Sequence, residues 1–208
     1  MKKMLKRLVS LLCVLNLSVG MAFAATSERV TTFDDATGVT VNACLVAPDG
    51  EELPCEIISC ETVAIPSGDV VACALDGVTS YKTTIKYKTG TNTINITGID
   101  AVGVMTMTWD DVLGLKNVLK SVNGYFEVTT GTYVSSSGIL YWGSSDYLIP
   151  SEAPHSRSIG QAFDEELNYT SVNNEFGTLW AYARCKVRSA EVSKDYFLDV
   201  EVCPTIFD

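Results

Sequence analysis

From Val39 onward, apolar and polar residues alternate in short runs separated by glycine, proline and aspartate. This period-two pattern, in a chain rich in Thr, Val, Ile and Tyr, is strand patterning. Residues 39–46 form the first run and end at Pro48-Asp49-Gly50. Residues 55–60 follow and continue to Ile65. After a turn at 66–69, residues 70–75 make a third run, closed by Asp76-Gly77. Residues 39–76 thus read as a cysteine-rich N-terminal meander. Residues 81–88 place Tyr81, Thr83, Ile85 and Tyr87 on one face. Residues 89–92 turn the chain, 93–97 return as a strand with Ile94 and Ile96 aligned, and 102–109 form the next strand.

One segment breaks the alternation. Val112, Leu115, Leu119 and Val122 recur at helical spacing, and Thr108, Asp110 and Asp111 suit a helix start. A short helix is therefore expected around 109–121, although Gly114 weakens it by ~1 kcal/mol relative to alanine. Strand patterning resumes at 125–130 and 138–142. Residues 143–160, with Pro150, Pro154 and five serines, read as a long surface loop. Residues 163–169 fit either strand or loop.

Residues 179–188 and 196–202 close the chain as a hairpin. Placing Arg188 opposite Asp199 and Lys186 opposite Glu201 pairs opposite charges across the strands. That register sets Cys185 opposite Val202, one residue from Cys203, on the opposite sheet face. The succession of short strands, without βαβ alternation, predicts an all-β antiparallel β-sandwich in one domain, residues 25–208.

The first 24 residues differ from the rest. Lys2, Lys3, Lys6 and Arg7 precede an apolar stretch from Leu8 to Val19, and Ala22-Phe23-Ala24 supplies small residues for cleavage. Residues 1–24 are expected to be a cleavable signal peptide, making the product secreted or extracytoplasmic. The stretch is shorter than the ~20 residues a spanning helix needs, so no transmembrane anchor is expected in the mature chain. The leader carries four of the 15 basic residues and none of the 25 acidic ones. The remainder then holds 11 basic against 25 acidic residues, a net charge of −14. Such a balance argues against nucleic acid and anionic membranes as partners.

Cleavage also leaves six cysteines: Cys44, Cys55, Cys60, Cys73, Cys185 and Cys203. In an oxidising compartment an even set is a disulfide framework, although cysteines also pack as small buried hydrophobes. The spacing of the first four does not match paired zinc knuckles, so no zinc is expected. Acidic clusters at 34–35, 49–52, 110–111 and 164–166 leave calcium as the one cofactor open, without an EF-hand loop. Sequons occur at Asn95 and Asn168.

Catalytic chemistry has few candidates. His155 is the sole histidine, and Asp146, Glu152 and several serines lie near it in sequence. No G-x-S-x-G elbow is present. A secreted hydrolase would use His155 or a carboxylate pair. Aromatic residues carry the stronger lead. Tyr141, Trp142 and Tyr147 gather around the long loop, with Tyr133 shortly before, and Trp180 and Tyr182 share one face of a later strand. With His155, these aromatics are the candidate ligand-binding residues, suited to stacking on sugar rings. The leading expectation is an exported non-enzymatic interaction module for an extracellular glycan or protein. The alternatives are the hydrolase and a structural subunit assembling through strand edges.

Overall fold

The computed structural model describes residues 30–34, 38–65, 77–112, 116–129, 131–146, 155–167, 171–173, 177–190 and 193–204. Twelve strands and one short helix appear among them. The strands are β1 (Val30–Asp34), β2 (Val39–Val46), β3 (Glu52–Ile65), β4 (Val78–Thr89), β5 (Ala101–Val112) and β6 (Lys116–Val128). They continue with β7 (Thr132–Asp146), β8 (His155–Ile159), β9 (Ala162–Glu166), β10 (Ser171–Asn173), β11 (Gly177–Ser189) and β12 (Asp195–Pro204). Helix α1 (Thr91–Thr97) lies between β4 and β5.

All pairings are antiparallel, in the order β10-β6-β5-β4-β3-β2-β12-β11-β7-β8, with β1 beside β2 and β9 beside β6. The fold is all-β as expected, but the sheet curls into a nearly closed barrel, which corrects the sandwich. The seam lies between β6 and β7. Strand β9 pairs with β6 and β8 with β7, and only Gly160 and Gln161 separate β8 from β9. Arg157 of β8 forms an ion pair with Glu165 of β9, so a side-chain contact also joins the two edges.

Apart from residues 93–97, the strand runs read from the pattern are present among the described residues, with β3 continuous through residues 52–65; residues 70–75 lie outside the described residues. Alternate positions fill the barrel. Val39, Val41, Ala43 and Leu45 of β2, Ile85 and Tyr87 of β4, and Leu198, Val200 and Val202 of β12 are all buried. Trp109 stacks on Tyr81 at 4.6 Å and donates from Nε1 to Thr83 Oγ1 at 3.4 Å.

The helix expected around 109–121 is instead the β5–β6 hairpin. In the β5–β6 register Thr108 faces Ser121 while Trp109 faces Leu119, so Lys120 is an extra residue, a β-bulge. The bulge moves the buried side from Leu119 to Val122, a three-residue step that mimics helical spacing. The converse error lies at 91–97, read as turn and strand and observed as α1. Ile94 and Ile96 do not share an inward face; the buried residues are Thr93 and Thr97, and Ile96 is exposed. Thr93 Oγ1 donates to Pro54 O at 2.9 Å and Thr97 Oγ1 to Thr93 O at 2.7 Å. Gly98 then ends the helix at φ 66°, donating its N–H to Ile94 O, a conformation that favours glycine.

No disulfide forms among the described cysteines, and Cys73 lies outside the described residues. The expected framework is thus corrected for the described positions. Cys55 and Cys185 pack inside the barrel as small apolar side chains. Burial pushes the Cys185 and Cys203 thiols up to about 12, and it raises Cys55 as well, with the neighbouring Cys44 adding to the effect. No described helix is long and apolar enough to cross a membrane.

Candidate functional site

Strand β11 divides its side chains cleanly. Leu179, Ala181, Ala183, Cys185 and Val187 are buried in the barrel. The alternate positions Trp180, Tyr182, Arg184, Lys186 and Arg188 therefore share the outer face. Opposite them, β12 buries Tyr196, Leu198, Val200 and Val202 and turns Asp195, Phe197, Asp199 and Glu201 outward.

The register pairs Tyr182 with Glu201, Arg184 with Asp199, Lys186 with Phe197 and Arg188 with Asp195. The expected pairing of Arg188 with Asp199 and Lys186 with Glu201 is therefore wrong by a step that keeps every side chain on its face. Charges recur at every second position on β11, so more than one register matches cation to acid. In the observed one Cys185 faces Leu198, far from Cys203.

Strand β7 completes the face, with Gly143 opposite Trp180, Tyr141 opposite Tyr182, Ile139 opposite Arg184 and Tyr133 opposite Arg188. A Cβ at Gly143 would lie 2.8 Å from the Trp180 indole, so this close approach requires glycine. The Tyr141 and Tyr182 rings are tilted neighbours with centroids 5.8 Å apart. Beside them Asp199 accepts from Tyr182 Oη at 2.6 Å and from Arg184 Nε and Nη2 at 2.9 and 2.6 Å. The Asp199 side chain is 6 % exposed and Arg184 37 %, so this is a partly buried, bidentate pair. The Arg184 guanidinium lies 4.8 Å from the centre of the Phe197 ring. Burial, followed by the Asp199 carboxylate, raises the Tyr182 phenol and keeps it protonated as a donor. The hydrogen bond that Arg184 donates to the Asp199 carboxylate raises the guanidinium. Asn42 Nδ2 reaches Glu201 Oε2 at 3.4 Å on the same face.

Of the six residues singled out in the sequence, Tyr141, Trp180 and Tyr182 come together here. Trp142 points into the barrel at 9 % exposure. His155, exposed at the start of β8, stacks against it with centroids 5.6 Å apart and planes at 17°. Tyr147 lies outside the described residues. The polar network, from Arg184 and Asp199 to Lys186, Arg188 and Asp195, was missed as a site. Its signal was the charge alternation already used to align the hairpin.

Three of the acidic clusters have local roles, while the side chains at 34–35 lie outside the described residues. Asp49 Oδ1 accepts the Glu51 N–H in a turn, Asp110 accepts from Ser80 and pairs with Lys120, and Glu165 pairs with Arg157. Among the described residues no three His, Cys, Asp or Glu side chains converge to hold a metal ion. No protein-family model, curated protein or solved structure matches this chain.

Proposed function

We propose that this protein is an exported, non-enzymatic binding module that takes a glycan on the outer face of β7, β11 and β12. The supporting observation is the juxtaposition of Trp180, Tyr141 and Tyr182 on one face with the Arg184–Asp199 pair locked beside them. Aromatic faces suit the C–H surfaces of sugar rings, and fixed polar groups beside them orient hydroxyls. Rings mounted on strands rather than on loops are already held in place, which lowers the ordering cost of binding. The acid-rich composition argues against nucleic acid, whose binding rests on many cation–phosphate contacts, and leaves recognition to short-range contacts.

A glycan array probed with the chain recovered after export, followed by calorimetry on each hit, tests the proposal. Trp180→Ala and Tyr141→Ala should each weaken binding at least about fivefold, since each ring contributes on the order of 1 kcal/mol or more. Unchanged affinity in both variants, or no glycan bound at all, would overturn it.

A further inference from the structure

At the opposite end of the same face, the end of β11, the start of β12 and the start of β7 border an open cleft of about 450 Å³, within the size range of small-ligand sites. Tyr133, Lys186, Arg188, Ser193 and Asp195 line it. The cleft has a fixed wall, because Ala190 N donates to Gly131 O at 2.6 Å and ties the β11–β12 turn to the β7 turn.

Its charge is unbalanced. Among the described lining residues a single carboxylate serves two cations, with Lys186 Nζ 2.5 Å from Asp195 Oδ2, and Arg188 Nη2 and Nε 2.5 and 2.8 Å from Oδ1. The Lys186 ammonium, with the Arg188 guanidinium, holds the Asp195 carboxyl below its usual range, so Asp195 stays ionised and offsets one positive charge. One positive charge remains at this trio. A guanidinium has five N–H donors, and Arg188 directs two of them at Asp195 while its side chain is 49 % exposed. Tyr133, opposite Arg188 in the register, is 61 % exposed and lines the cleft beside Arg188.

We infer that this cleft is a subsite for an acidic sugar: Arg188 and Lys186 receive the carboxylate of a uronic or sialic acid residue, and Tyr133 supports its ring. The inference rests on the glycan-binding reading and names the class of glycan. Six residues of β11 separate Tyr182 from Arg188, about 20 Å of strand, so an oligosaccharide rather than a single sugar would engage both ends.

The test is calorimetry with an oligosaccharide of uronic acids and with the same oligosaccharide after reduction of its carboxyl groups. The acidic form should bind about tenfold more tightly, the worth of one charge-assisted contact. Arg188→Met should abolish that preference, and Lys186→Met should lower it. Tyr133→Ala should weaken both forms. Circular dichroism of each variant verifies that the barrel is folded. Equal affinity for the two forms, or a preference that survives both cation replacements, overturns the inference. If neutral glycans still bind and lose affinity with Trp180→Ala, the broader reading stands and only the acidic subsite falls. Failure of every oligosaccharide overturns both. An acidic peptide binding as tightly as the uronate, with the same dependence on Arg188, also overturns the assignment to sugar.

Discussion

Replacing Arg184 with methionine leaves a carboxylate that is 6 % exposed with Tyr182 as its remaining hydrogen-bond partner in the trio. Breaking one side of a fully buried ion pair costs about 3–5 kcal/mol, because the other charge stays desolvated. Arg184 itself is 37 % exposed, so part of that attraction is already screened by water. The Tyr182 hydrogen bond also keeps one carboxylate oxygen satisfied. A loss of about 2–3 kcal/mol is therefore expected, or roughly 5–10 °C in Tm for a domain of this size. Replacing both partners, Arg184→Met with Asp199→Leu, removes the buried charge together with its desolvation cost. The double variant should recover to within about 1 kcal/mol of the parent chain. Urea unfolding followed by far-ultraviolet circular dichroism measures Arg184→Met, Asp199→Leu and the double variant, and equal m-values make their midpoints comparable. A loss below about 1 kcal/mol in Arg184→Met would refute the reasoning, because the pair would then be no more than a surface salt bridge. A double variant as unstable as the sum of the single ones would also refute it.

Three further outcomes follow from the fold. Deleting Lys120 removes the bulge and leaves Leu119 and Val122 two residues apart, both still facing the core; urea unfolding should therefore show a loss below about 1 kcal/mol, and a loss above about 2 kcal/mol would place the bulge elsewhere. Gly98→Ala should cost about 1 kcal/mol through its positive φ, with no loss of ligand affinity. Stability should also fall on the alkaline side. Cys185 and Cys203 hold their protons up to about 12 when folded and release them near 9 when unfolded, so the folded state binds more protons between those values. The slope of unfolding free energy with pH is then negative from about pH 9 upward. Cys185→Ala should flatten that decline in urea titrations from pH 7 to pH 10.5, and an identical slope would contradict the burial argument.

Much of the strand pattern was legible because inward residues recur at every second position. Strands β2, β4, β5, β11 and β12 each bury alternate apolar side chains, and the alternation survives short polar insertions. Closure of the sheet was not legible. Alternation distinguishes inside from outside but does not say which edges meet, and the strands that meet at the seam are weakly patterned. His155–Ile159 has only Ile159 buried, so its sequence looks like loop although it pairs with β7. The bulge at Lys120 defeated periodicity in one direction, and the threonines of α1 defeated it in the other: Thr93 and Thr97 are buried through hydrogen bonds rather than through apolar surface. At the site, the tyrosines and tryptophan of β11 and β7 could be read as a face. The Arg184–Asp199 pair could not be assigned, because a period-two charge pattern fits several registers equally well.

The account depends most on whether the outer face of β7, β11 and β12 receives a glycan. Nuclear magnetic resonance of the protein, with the indole N–H of Trp180 as reporter during titration with an array-selected oligosaccharide, addresses this directly. The account predicts saturable shifts at Trp180, while the Trp142 indole stays unmoved inside the barrel. Shifts confined to Trp142 and His155 at the seam, or none at Trp180 at saturating ligand, would contradict it.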